Sequence, residues 1–110
     1  MVILSPSKSM DMAPIPGVDS TQPSFLKHSH VLVDQMRTFS ERDLMSFMGI
    51  SEKLAKLNQQ RFLDWQTPFT TENSKQALFA FTGDVYDGLE AQTLRKPDIR
   101  FAQNNLRILS

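Results

Sequence analysis

The chain has 110 residues, enough for one small domain, and 40% of them are hydrophobic, including 8 Phe and 6 Met, so a core can form. Lys plus Arg number 12 and Asp plus Glu 12, a net charge of +0, which excludes a uniformly basic nucleic-acid binder and makes any such surface local. The absence of cysteine removes disulfides, thiolate metal sites, iron–sulfur ligation and thiol redox chemistry, and fits a cytoplasmic protein.

The opening MVILSPSKSMD has a short apolar run without a basic n-region, so no signal peptide is expected, and no stretch approaches the ~20 apolar residues of a membrane span. Val2-Ile3-Leu4 is expected as a strand buried on both faces, central in a sheet. The loop after it, residues 5–11, offers Ser5, Ser7, Ser9, Lys8 and Asp11. Ser5 and Lys8 have the S-x-x-K spacing of serine–lysine acyl enzymes, but the companion S-D-N and K-T-G patterns are absent. A solvated Ser- and Pro-rich loop is the expected reading, with anion binding by Ser7 and Lys8 as the functional alternative. Residues 12–23, with Pro14, Pro16, Gly17 and Pro23, read as irregular.

Residues 24–39 carry a helical pattern, with Phe25, Leu32, Met36 and Phe39 on one side and Ser24 as the cap. His28 and His30 lie on different sides of that helix with no third ligand near, so no metal site is expected. His30 and Asp34 are spaced for a local ion pair. Ser40 caps the next helix, with Asp43 at the third position of an approximate capping box.

Residues 44–62 are the stretch around which the chain is organised. They read as two helices joined by a very tight turn at Met48-Gly49-Ile50-Ser51. Leu44, Phe47 and Met48 mark one apolar face, Gly49 suits a left-handed helix end, and Ser51 suits an N-cap. So short a joint is expected to set the helices at a steep angle, as in helix-turn-helix and helix-hairpin-helix units. It also presents backbone N–H groups as an anion site. On the second helix Leu54, Leu57, Phe62 and Trp65 share a face with Asn58 and Arg61, while Lys53, Lys56 and Gln60 cluster opposite. A guanidinium on an apolar stripe needs a partner. The expected one is a carboxylate, with Asn58 satisfying backbone groups. The alternative is that Asn58 and Arg61 line a cleft.

The helical pair is expected to end by Pro68, with a short helical segment from Thr71 to Lys75. Ala77-Leu78-Phe79-Ala80-Phe81 reads as a second buried strand, broken at Thr82-Gly83-Asp84, where Asp84 caps a helix over residues 85–94. Pro97 suits the first turn of a last helix with Ile99, Ala102 and Leu106 inward. Arg95, Lys96, Arg100 and Arg107 make this the most basic region. Residues 106–110 read as the beginning of a strand, which leads to the expectation that the domain continues beyond them.

The segments ILSPSKSMD, MGISEKLAKLNQQRFLDWQ, ALFAFTGDVYDGLEA and FAQNNLRILS, in this order, identify a resemblance. The chain resembles the N-terminal part of the YaaA family, bacterial peroxide-stress-resistance proteins, from end to end, with the C-terminal half of the family's domain absent. The resemblance implies a cytoplasmic protein that protects cells from hydrogen peroxide by lowering free iron and limiting oxidative DNA damage. It also implies DNA binding, an α/β fold with a positively charged cleft, and a helix-hairpin-helix element, for which residues 44–62 are the candidate. Family-pattern residues here are Ser5, Lys8 and Asp11, then Ser51, Lys53, Asn58 and Arg61, then Gly83, Asp84, Tyr86 and Gly88. No catalytic residue is carried over. The turn has one glycine where helix-hairpin-helix units usually have two, which weakens the expectation of close phosphate approach.

The resulting expectation is an α+β fold, mixed helices around a small sheet with a helix-hairpin-helix-like unit, as one incomplete N-terminal domain over residues 1–110. The function expected is non-sequence-specific, salt-sensitive binding of double-stranded DNA. Its contacts would be Gly49, Ser51, Lys53, Lys56 and Gln60, extended by Arg95, Lys96 and Arg100. The alternative is an enzyme or ligand-binding protein for a phosphorylated or nucleotide ligand, if the loops after the two expected strands converge into a polar cleft of Ser5, Lys8, Asp11, Asn58, Arg61, Asp84 and Tyr86. Direct iron binding would need carboxylates such as Asp84 and Asp87. No cofactor, metal or membrane partner is expected.

Overall fold

The computed structural model describes residues 1–110, which form two units: residues 1–20 with 69–110, and residues 21–68. In chain order the elements are β1 (Val2–Leu4), α1 (Leu26–Arg37), α2 (Glu41–Met48), α3 (Glu52–Asp64), α4 (Ala77–Ala80), α5 (Asp84–Leu89), α6 (Lys96–Asn105) and β2 (Leu106–Ile108). The fold class is α+β, six helices and one two-stranded sheet, as expected.

In the first unit β1 and β2 pair in parallel, with Val2 opposite Leu106 and Leu4 opposite Ile108. The α6 helix runs directly into β2. Asp98 fixes its start by accepting the Arg95 backbone N–H at 3.0 Å, and Pro97 lies in its first turn, where no intrahelical N–H is required. The strand at Val2–Leu4 is present, but it is not buried on both faces. It has one neighbour, and Val2 and Ile3 are 54% and 59% exposed.

The expected strand at residues 77–81 is instead the single helical turn α4, followed by Phe81 in an isolated antiparallel bridge to Met10. An apolar run this short has no period to separate helix from strand. Burial was the robust part of that expectation: Phe79 and Ala80, with Tyr86 and Ala91, form this unit's core. The helix expected over 85–94 is also broken. The N-cap of α5 is Gly83 rather than Asp84, with no side-chain cap; Glu90 is left-handed at φ 48°, and residues Ala91–Thr93 form a separate 3₁₀ turn. Residues 71–75 are not helical. The Asn73 side chain accepts the Thr70 N–H at 2.7 Å and closes a turn there instead.

In the second unit α3 packs against both α1 and α2. Its core is Leu44 and Ala55, both fully buried. The N-cap of α1 is Phe25, without a side-chain cap, so Ser24 does not serve as one. The His30–Asp34 pair does not form. Asp34 meets Arg37 at 3.0 Å, while His30 Nε2 shares a 2.8 Å hydrogen bond with Thr67 Oγ1 and stands edge-on to Trp65. Arg37 also donates from Nε to the Phe62 carbonyl at 2.8 Å, tying α1 to the end of α3.

The caps at the joint between α2 and α3 are as the sequence implies. Ser40 and Asp43 complete a capping box at the start of α2. Gly49 ends that helix at φ 63°, and Ser51 Oγ accepts the Leu54 N–H at 3.3 Å to open α3. The inward face differs from expectation. Ala55 is fully buried, Gln59 and Phe62 are half-buried, and Leu54 and Leu57 are each 45% exposed. Phe47 on α2 is exposed as well. The Ala55 side of α3 is thus the one that the packing against α1 and α2 buries.

Candidate functional site

The loop after β1 and the segment after α4 converge within the first unit. The Asp11 N–H donates to the Ala80 carbonyl at 2.8 Å and the Thr82 N–H to the Ser9 carbonyl at 3.2 Å, on either side of the Met10–Phe81 bridge. Ser9 Oγ and Thr82 Oγ1 share a hydrogen bond of 2.7 Å. The Tyr86 hydroxyl donates to the Ser5 carbonyl at 2.6 Å. Lys75 Nζ donates to the Asp11 carbonyl at 2.9 Å and stands 4.0 Å from its carboxylate. A Cβ added to Gly83, whose φ is 107°, would lie 3.4 Å from Ser7 Oγ, so the two segments run in close contact.

Beside this convergence lies a shallow concavity of about 260 Å³, whose lining includes Asp11, Phe81, Thr82, Tyr86, Asp87 and Glu90. Its lining combines the rings of Phe79, Phe81 and Tyr86 with the carboxylates of Asp11, Asp87 and Glu90, of which Lys75 pairs with Asp11 alone. Burial pushes the Tyr86 phenol above its ordinary value, which keeps it a neutral hydrogen-bond donor.

The expected polar cleft is thus brought together in part. Ser5, Asp11 and Tyr86 meet, Ser5 through its backbone. Lys8 lies in the same loop and is exposed, as is Asp84 at the first position of α5. Asn58 and Arg61 belong to the other unit. The Asn58 amide donates to the Leu54 carbonyl at 2.8 Å. Arg61 is exposed and forms no ion pair, so the guanidinium expected on a buried stripe stands at the surface instead. By sequence Ser9 stands only as one of the loop's serines, and Thr82 and Lys75 carry no site role. The two hydroxyls sit at the residues flanking the bridge, a pattern legible only once α4 and the loop are known to pair. Nothing in the local sequence marks Lys75.

The residues expected to contact DNA fall into two groups. Gly49, Ser51, Lys53, Lys56 and Gln60 lie on the α2–α3 joint and the first turns of α3. Lys53 and Lys56 are exposed and enter no ion pair, whereas Gln60 donates to Asp64 at 2.8 Å. Arg95, Lys96 and Arg100 lie at α6 in the other unit, where Arg95 Nε pairs with Asp98 at 3.2 Å. No group of three or more His, Asp or Glu residues is placed to hold a metal ion, and Asp84 and Asp87 gain no third ligand. No helix is long and apolar enough to cross a membrane.

The chain is similar to proteins of known family. A UPF0246 protein of Cellvibrio japonicus is 50% identical over 109 residues, 98% of this chain and 42% of the relative. One from Cupriavidus metallidurans is 50% identical over 111 residues, 100% of this chain and 42% of the relative, and one from Chromobacterium violaceum is 49% identical over 111 residues, covering 43% of that protein. The chain therefore spans less than half the length of these curated relatives. The family model described as peroxide stress protein YaaA matches residues 1–110, and the chain belongs to that family.

Proposed function

We propose that the chain serves in cytoplasmic resistance to hydrogen peroxide as a DNA-binding element, in a protein that limits free iron and oxidative DNA damage. The carrying observation is the α2–α3 joint: Gly49 left-handed, Ser51 capping α3, and Lys53 and Lys56 exposed without carboxylate partners. The helix start offers N–H groups to one phosphate, and the two ammonium groups one turn along supply charge without reading bases. Family membership supports the peroxide-stress context. Arg61, exposed and unpaired on the same helix, extends the cationic surface.

The test is fluorescence anisotropy of a short labelled duplex titrated with the chain at several salt concentrations. Affinity should fall as salt rises, by about 0.9 logarithmic unit per tenfold change in salt for each phosphate neutralised. In the folded Lys53→Ala/Lys56→Ala variant that slope should drop by about 2. Equal affinity of both proteins for DNA, or no binding at low salt, rejects the hairpin as the contact.

A second reading is favoured by the convergence of residues 5–11 with residues 81–86. It makes the concavity beside Tyr86 a small-ligand site. The carboxylates of Asp11, Asp87 and Glu90 around it fit a ligand presenting hydrogen-bond donors or a cationic group better than the phosphorylated ligand expected from sequence.

A further inference from the structure

The β1–β2 pair and α6 leave an apolar surface that the chain itself does not cover. A parallel sheet is ordinarily covered on both faces, and an isolated two-stranded sheet is marginal in water. Here β1 and β2 have only each other, so each keeps one unpaired edge. Val2 is 54%, Ile3 59%, Phe101 69% and Leu109 64% exposed. A groove of about 270 Å³ runs beside them, lined by Val2, Leu89, Leu94, Phe101, Ala102 and Leu106, with Asp98 and Asn105 as its polar members.

The total surface points the same way. The chain of 12.6 kDa exposes 8615 Å². A folded protein of this mass exposes about 6200 Å². Even two independent units of half the mass would together expose only about 7500 Å². The remaining excess, about 1100 Å², is shared between the units: Phe25, Leu32 and Phe47 in residues 21–68 are exposed as well as Val2, Ile3, Phe101 and Leu109 on this face.

We propose that this face of β1, β2 and α6 is the docking surface for the polypeptide that family members carry outside the part matched here, received as an added β-strand with an apolar cover. The curated relatives are more than twice as long as the matched part, so they contain the polypeptide needed. Main-chain hydrogen bonds along a free strand edge would supply its register, and Phe101 with the groove beside it would receive the apolar side chains. A second copy of this chain could offer only the same two short strand edges, and it would leave the additional length of the relatives without a seat.

The test co-expresses the tagged chain with the part of the Cellvibrio japonicus relative that it does not match. The expected result is a 1:1 complex on light scattering, with amide shifts at Val2, Ile3, Phe101 and Leu106. Phe101→Asp and Ile3→Lys should each weaken it by about tenfold or more, as for residues central to an interface. Leu32→Glu, at an equally exposed site in the second unit, should leave it unchanged. Circular dichroism establishes that each variant is folded. Failure of the two polypeptides to copurify, with the relative's part soluble and folded by circular dichroism, overturns the proposal. Where that part does not fold alone, Phe101→Asp and Ile3→Lys at the matching positions of the full-length relative must lower its melting temperature, and no loss there overturns the proposal. So does a complex indifferent to both Phe101→Asp and Ile3→Lys, or a dimer of the chain alone whose shifts map to this face.

Discussion

The Tyr86 hydroxyl donates to the Ser5 carbonyl at 2.6 Å, joining residues 81 positions apart. Tyr86 is 6% exposed, and its ring lies 5.4 Å from that of Phe81. One side chain thereby contributes to the core of the first unit and holds the loop that follows β1 against α5.

Replacing that residue separates its two roles. Tyr86→Phe keeps the ring and removes the hydrogen bond, and should lower stability by about 1 kcal/mol. Tyr86→Ala also opens the core and should cost about 3–5 kcal/mol. Urea denaturation checks both. The phenol's raised pKa adds a pH signature. Because the folded protein holds the proton more tightly than the unfolded chain does, stability is full below the unfolded value of 10.0 and is lost as pH rises through the folded one. Tyr86→Phe should abolish that component of the alkaline slope.

Gly49 sits at φ 63° with nothing within 4 Å of an added Cβ, so backbone conformation rather than space constrains it. Gly49→Ala should destabilise by about 1 kcal/mol, and Gly49→Val by more, because a side chain opposes the left-handed region. Gly49→Asn should be milder, since asparagine tolerates that region better. Thermal melts of the three variants should place Asn highest, Ala next and Val lowest.

The α2 capping box should register at acid pH. The Ser40 hydroxyl, and then its backbone N–H, hold the Asp43 carboxyl below its ordinary value. A depressed folded pKa contributes stability above the unfolded value of 3.8 that disappears as pH falls through the folded one. Ser40→Ala should cost about 1 kcal/mol near neutral pH, and the difference from wild type should narrow as the solution is acidified. Denaturation midpoints taken across the acid range measure it.

Helix boundaries governed by local chemistry were legible in the sequence. The Ser40–Asp43 box, the Gly49 end, the Ser51 cap and the Pro97 start each depend on groups within a few residues of one another. The helical period and the turn residues therefore located α2, α3 and α6. The apolar run at residues 77–81 disclosed its burial but not its form, because four or five consecutive apolar residues satisfy either period.

The candidate site was legible in outline. Convergence of the loops after the two expected strands, residues 5–11 and 83–87, was the condition of the alternative reading, and the first of them meets the segment around Phe81 although one of those strands is a helical turn. Which groups form the contact was not legible. Ser9 with Thr82 and Lys75 with Asp11 are separated by 73 and 64 positions, and no local pattern records such pairs. Arg61 shows the opposite failure. Its place on a helical wheel beside leucines implied burial, but α3 turns its Ala55 side inward and leaves Arg61 in solvent.

By itself, then, the sequence determined the family, the absence of thiol chemistry, the caps and turns, and the tight joint that brings α2 and α3 together. These depend on residue type and on neighbours within about one turn of chain. Tertiary structure alone decided which face of α3 is buried, that residues 77–80 coil rather than extend, and that β1 finds its only partner at β2. Those outcomes depend on close packing and on main-chain hydrogen bonds between distant segments. Their energies exist only once the segments have met.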